Sequence, residues 1–291
     1  MEISSRTLLG RYALAPKPEL VQECHGILAE ACDRWRGVKL HMGVMPSNHF
    51  HYMATCPSAN EFGRWMSFVK AAIARAAQFH HDIRGPIWDR RFRAIPILDD
   101  AALRERVRYF MAQMCNPACD LVIGPRHWPG MNCVDALCRG VKIRGTYVRS
   151  AERRRLAARK EKLPLNRTLE LTPLPGLPED EEQRKTWFRQ IEQEIVAETR
   201  ERQAANGIVC KPPKVFETDD GHFVPDKMKK SPAPHSHCSC AERRAAFMAA
   251  LHQFVDLWRG ALELMKRGAR ACFPEGGWWP YDCHLCRPQR E

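Results

Sequence analysis

Val38-Lys-Leu-His-Met-Gly-Val-Met-Pro-Ser-Asn-His-Phe-His-Tyr-Met-Ala-Thr55 reads as two strands joined by a turn. Val38 to Met45 alternates in the manner of a half-buried strand, Pro46-Ser-Asn48 supplies turn chemistry, and His49 to Thr55 returns as the second strand of a hairpin. Successive strand side chains point to opposite faces, so His49 and His51 share one face while Phe50 and Tyr52 take the other.

Working outward, Lys17 to Trp35 carries Leu20, Val21, Cys24, Ile27, Leu28, Ala31 and Trp35 on one face of an amphipathic helix that Gly37 ends. Glu2 to Leu9 has strand character before it. The chain starts abruptly, inside that strand, so either the start lies upstream or the edge of the sheet is curtailed. After the hairpin, Ser58 and Glu61 form a capping-box pattern, and Phe62, Met66, Val69 and Ile73 make the stripe of a second helix. Phe92 to Leu98 reads as a further strand, with Pro96 favouring an edge position. Asp99 or Asp100 then caps a third helix with core residues Leu103, Val107, Phe110 and Met114. The order strand, helix, strand, strand, helix, strand, helix predicts an α+β, ferredoxin-like core, an antiparallel sheet with its helices on one face, plus one appended helix.

On this reading residues 1–140 form one domain. Residues 141–178 are a basic, Pro-containing linker, and residues 179–291 a mainly helical C-terminal region with Cys/His-rich segments. The helix expected from Glu179 to Ala205 starts acidic, with Glu179-Asp-Glu-Glu182, which suits it to pair with the basic segment before it. The 291 residues, 44% of them hydrophobic, are enough to bury a core, and no apolar run approaches the ~20 residues of a membrane-spanning helix. The N-terminal stretch lacks the pattern of a secretory signal, so a cytoplasmic, nucleoid-associated protein with no membrane partner is expected and the thirteen cysteines read as reduced thiols. A net charge of +12 points to a polyanionic partner, nucleic acid first.

The chemistry centres on His49, His51, Tyr109 and Gln113. Two imidazoles on one face can hold one metal ion, and Tyr109 and Gln113, one helical turn apart, stack on one face of the third helix. A phenol, with a pKa of about 10, needs a nearby cation to act as a nucleophile near neutral pH. A metal held by His49, His51 and the amide oxygen of Gln113 would serve that end. On the residues alone, a structural role for each of these side chains stands beside this reading.

Val44-Met-Pro-Ser-Asn-His-Phe-His51 resembles the strand motif of the HUH-type single-strand transposases. Gly85-Pro-Ile-Trp-Asp-Arg-Arg-Phe92, Arg108-Tyr109 and Trp128-Pro-Gly130 are similar to motifs of one branch, the REP-associated tyrosine transposases. The likeness covers roughly residues 5 to 140, and the segment from Leu171 onward, with Lys230-Ser-Pro-Ala-Pro234 and Phe273-Pro-Glu-Gly276, looks like the C-terminal extension of longer members. The resemblance implies a metal-dependent endonuclease and strand transferase acting on hairpin-containing single-stranded DNA. Tyr109 would be the nucleophile that forms a 5′-phosphotyrosine link, and His49, His51 and Gln113 the metal ligands. The family uses magnesium or manganese, whereas ligand type alone ranks zinc or manganese first. The stretch Met114 to Asp120 is slightly longer than the family pattern.

Expected DNA contacts are Arg84, Arg90, Arg91, Arg93 and Arg108 near the site, then Arg153, Arg154 and Arg155 within the basic run. Trp88 reads more as a core anchor than as a base-stacking platform. His235, His237, Cys238 and Cys240, with Cys283 and Cys286, form a candidate structural zinc site. The alternatives are a catalytically inactive or domesticated binder of hairpin DNA, and an RNA-binding regulator that would use Phe50 and Tyr52 as exposed aromatics. Monomer and homodimer both remain open.

Overall fold

The computed structural model describes residues 1–116, 122–207, 209–211, 220–225, 234–274 and 286–288. The chain runs β1 (Glu2–Arg6), α1 (Pro18–Arg34), β2 (Lys39–Val44), β3 (His49–Thr55), α2 (Ala59–His80), β4 (Arg93–Ile95) and α3 (Asp100–Ala112). It continues through α4 (Val134–Arg139), β5 (Ile143–Gly145), α5 (Ser150–Ala158), β6 (Arg167–Leu169) and α6 (Glu181–Asn206) to α7 (Ala241–Lys266), β7 (Ala271–Phe273) and β8 (Cys286–Pro288). The molecule is α+β. Ser58 caps α2 by accepting from the Glu61 amide, and Asp99 caps α3 by accepting from the Ala102 amide, as the sequence predicts. Among the described residues no helix is long and apolar enough to cross a membrane.

The first four strands form one antiparallel sheet in the order β2-β3-β1-β4. β1 is an interior strand, paired on both sides. β4 is an edge strand, where the missing N–H of Pro96 is tolerated. Register places Glu2 opposite Met53, Ser4 opposite His51 and Arg6 opposite His49, so these six side chains share a face. The β2/β3 register shifts between Leu40 and Met42. His41 is the extra residue, its Nδ1 donating to the Thr172 carbonyl at 3.0 Å.

Both faces of the sheet are covered. Ile3, Phe50 and Tyr52 pack with Leu20, Ile27 and Leu28 of α1 and Trp65, Val69 and Ile73 of α2. Met42, Val44 and Met53, on the other face, pack with Val107, Phe110 and Met111 of α3, then Trp128, and Phe188, Ile191 and Ile195 of α6. The expectation that the helices lie on one face is therefore corrected. β2 and β3 are apolar on both sides of the pleat, and leaving the Met42/Val44/Met53 side in water would forfeit about 1.5–3 kcal/mol per side chain. Phe50 and Tyr52 are fully buried, which removes the exposed aromatic platform that an RNA-binding reading needs.

Residues 141–178, expected as a linker, instead fold back on α1. β5 pairs with β6, and Ile143 and Leu169 join the core. The approach is close enough that a Cβ on Gly26 would lie 2.1 Å from the Thr146 carbonyl carbon, so only glycine fits there. Arg153, expected on DNA, is buried on α5. Its Nε donates to Glu23 Oε1 at 2.7 Å, and His80 Nε2 reaches the same oxygen at 2.8 Å. Replacing Arg153 with Ala would strand a buried carboxylate and should cost about 3–5 kcal/mol of folding stability. In urea denaturation Arg153→Ala should unfold far earlier than the wild type, while Arg154→Ala on the exposed side should stay within about 0.5 kcal/mol of it.

Candidate active site

The site lies where β3 and β1 pass beneath α3. His49 and His51 are both buried, with ring centroids 4.9 Å apart. Tyr109 is 39% exposed and turns its ring edge-on to His51 at a centroid distance of 5.6 Å. Gln113, the C-cap of α3, is buried one turn further on. The structure thus brings together the four residues singled out from the sequence.

The hydrogen-bond pattern orients the donors. His49 Nδ1 lies 2.6 Å from Asn48 Oδ1, the shorter of its two ring contacts, so this geometry suits a ring proton on Nδ1. Gln113 Nε2 faces the Tyr109 carbonyl at 3.5 Å, and this turns Oε1 toward His49 Nε2, 3.3 Å away. His49 Nε2 and Gln113 Oε1 therefore face each other in a buried space, where a ring proton or a cation can lie between them. A cation between such groups satisfies both. His51 Nδ1 lies 3.4 Å from Glu2 Oε1, and a carboxylate only accepts, so that ring also keeps its lone pair on Nε2.

Burial is the main cause that pushes His49 well below the usual imidazole value, helped by His51 and Arg6 and opposed by Gln113. Burial likewise lowers His51, with Glu2 opposing and Arg106 and Arg6 adding. Both rings are thus neutral near neutral pH, the form that binds metals.

Glu2 and Arg106 are the residues that the sequence reading missed. Arg106 Nε lies 2.7 Å from Glu2 Oε2, Arg106 Nη2 donates to Oε1 at 3.1 Å, and the guanidinium sits 3.8 Å from the centroid of the Tyr109 ring. Burial opposes ionisation of Glu2, yet the close approach of His237 and His51 and the Arg106 charge outweigh it and hold the carboxyl below its usual range. Period-two alternation in Glu2-Ile-Ser-Ser-Arg6 was the available signal. It becomes informative only when β1 is known to pair with β3.

The expected DNA contacts fall into two groups. Arg84, Arg90, Arg91 and Arg93 are exposed. Asp89 donates its amide to the Arg6 carbonyl at 3.1 Å, so the loop carrying Arg90 and Arg91 runs beside the His49 end of β1, and Arg93 is in register with Ser4 on the face of the histidines. Arg154 and Arg155 are exposed on α5, away from this face. Arg108 is committed to an ion pair with Glu198 of α6, and Arg104 to Glu194 at 2.7 Å. The acidic start expected to pair with the basic run at 144–167 instead pairs within α6, Glu181 and Glu182 with Lys185, while Glu194 and Glu198 further along the helix meet α3. Trp88 is a packing residue, 5.4 Å from Phe50 between ring centroids, with its indole N–H donating to the Lys70 carbonyl at 2.9 Å.

Of the candidate zinc ligands, His237 points its Nε2 at Glu2 Oε2, 2.7 Å away. Cys238 and Cys240 are free thiols, and no group of three or more His, Cys, Asp or Glu suited to a metal occurs among the described residues. Cys283 and the side chain of Cys286 lie outside those residues. Compared with protein-family models, curated proteins and solved structures, the chain gives no match.

The lowered histidines carry a sign for stability. An unfolded chain takes up protons on His49 and His51 as the pH drops through about 6.5, while the folded chain resists, so their contribution is full above that value and is lost as the pH falls. In metal-free urea titrations the wild-type midpoint should drop between about pH 7 and about pH 5, and His49→Gln/His51→Gln should show a shallower drop.

Proposed function

We propose that the protein is an HUH-type, REP-associated tyrosine transposase, a single-strand DNA endonuclease and strand transferase with a ferredoxin-like core. The strand order β2-β3-β1-β4 with α1 and α2 on one face supports the core. The observation that carries the activity is the meeting of His49 Nε2 and Gln113 Oε1 at 3.3 Å, with Tyr109 one turn before Gln113 and against His51.

The donor set suits a divalent ion, since two imidazoles with centroids 4.9 Å apart share the buried site with one amide oxygen 3.3 Å from His49 Nε2. Held by His49, His51 and Gln113, magnesium or manganese would polarise the scissile phosphate and offset the charge that builds there. Tyr109, the exposed member of the group, meets the strand. Its oxygen bonds to phosphorus as the bond to the 3′ oxygen breaks; the phenolic proton is lost, the leaving 3′ oxygen gains one, and a 5′-phosphotyrosine remains. Attack by a 3′ hydroxyl reverses the exchange without ATP, because the phosphotyrosine keeps the energy of the phosphodiester. Arg106, over the Tyr109 ring, is suited to fix the phenol and sets positive charge against the ring that loses its proton. Arg6 and Arg93, on the histidine face, and Arg90 and Arg91 beside it, are suited to the backbone of the incoming strand.

Incubation of the full chain with labelled hairpin-bearing single strands and manganese should give a covalent protein–DNA adduct. Tyr109→Phe and His49→Ala should each abolish it, with Tyr109→Phe changing stability by no more than about 0.5 kcal/mol. An adduct that survives Tyr109→Phe rules out this nucleophile. Hairpin binding with no adduct from the wild type favours the inactive binder.

A further inference from the structure

Residues 236–240 do not sit with the helix they precede. His237 donates its amide to the Pro96 carbonyl at 2.8 Å and accepts from the Leu98 amide at 2.9 Å, extending the sheet edge just past β4. Two residues on, Ser239 donates its amide and its hydroxyl to the Asp99 carboxylate at 2.7 and 2.8 Å. The Cys240 amide reaches the same carboxylate at 3.4 Å. Asp99 is the N-cap of α3, the helix that carries Arg106, Tyr109 and Gln113. One short arm therefore grips both the sheet edge and the root of that helix.

This docking delivers a side chain. His237 Nε2 lies 2.7 Å from Glu2 Oε2, with the His237 side chain only 14% exposed. Glu2 is buried, and its other oxygen faces His51 Nδ1 at 3.4 Å. Arg106 closes one side of the carboxylate. Without His237, Oε2 loses one of its two close cationic or polar contacts, leaving Arg106 alone, and the carboxylate gains freedom to turn away from His51. A carboxylate behind a ligating histidine fixes the tautomer and the ring direction, and losing such support typically weakens metal binding by about 10- to 100-fold.

We propose that His237 is a positioning residue of the metal site: it holds Glu2, Glu2 holds His51 Nδ1, and the arm at residues 236–240 thereby completes the active site from the C-terminal region. The inference rests on the reading of His49, His51 and Gln113 as a metal site, and it gives the His237 segment a role that needs no zinc.

The test measures manganese binding to the full chain, by the loss of the free-ion electron paramagnetic resonance signal, with no DNA present. Thermal melting of each metal-free variant is run beside it. His51→Ala should remove the binding. His237→Ala should weaken it by about 10-fold or more with little change in melting. His237→Gln, whose amide N–H can again reach Glu2, should recover most of the affinity. If His51→Ala removes binding while His237→Ala binds like the wild type, the proposal fails and the metal site stands. If His237→Ala and His237→Gln are equally weakened, the hydrogen bond to Glu2 is not the reason and the proposal also fails. If His51→Ala binds manganese like the wild type, the metal-site reading itself is wrong and the inference falls with it.

Discussion

Five successive residues of β3, His49 to Met53, are buried although their side chains alternate between two faces. That double burial is the constraint from which the rest of the architecture follows. Phe50 and Tyr52 require an apolar layer, and α1 and α2 provide it. The opposite side holds Met53 beside two imidazoles, so its cover must be apolar over one half and polar over the other. α3 meets that demand with Val107, Phe110 and Met111 over the methionines, and with Arg106, Tyr109 and Gln113 over the histidines. A helix apolar all round would strand the imidazoles without partners, and a wholly polar one would leave Met42 and Met53 in water.

The placement of charge follows from the same layer. α3 carries Arg104 and Arg108 on the side turned from the sheet, and α6 answers them with Glu194 and Glu198, one turn apart on each helix. Each pair is partly exposed and contributes little on its own, about 0–1 kcal/mol. Their joint effect is registry, since Ile191 and Ile195 between them seat α6 against the core. Arg153 and Arg167 are drawn to Glu23 and Glu30 of α1. Several arginines are thus committed to intramolecular pairs, and Arg6 and Arg93 stand on the face of the histidines.

Local pattern in the chain reveals the parts that depend on neighbours in sequence. The hairpin, the caps at Ser58 and Asp99, and the shared face of His49 and His51 all follow from turn chemistry and alternation over a few residues. Tyr109 and Gln113 are legible as a pair because one helical turn separates them. What covers a face is a different matter. Nothing in the β2 sequence announces the bulge at His41, which returns Met42 to the histidine side, and nothing in Glu181 to Asn206 says that its acids meet α3 instead of the nearer basic run. Arg153 looks like any member of an Arg cluster until β5 and β6 fold onto α1 and aim it at Glu23. Glu2 and His237 were out of reach for the same reason: one becomes a neighbour of His51 through strand register, the other through a contact spanning most of the chain.

The electrostatic balance of the site bears on why a buried ion pair should lie next to two neutral histidines. Glu2 and Arg106 offset each other, and such a pair adds little to stability over an apolar packing of the same volume. It does supply a carboxylate whose charge is already compensated, and which can orient His51 without drawing a proton onto the ring. A lone carboxylate there would favour the imidazolium and turn a ligand into a cation. A lone arginine would repel the divalent ion that the proposed function requires. With the two charges paired, Glu2 and Arg106 add little net charge beside His51, and Arg6 and Arg93 remain the other cations of that face. On the proposed function, a cation held by the histidines would keep its charge for a phosphate brought to that face.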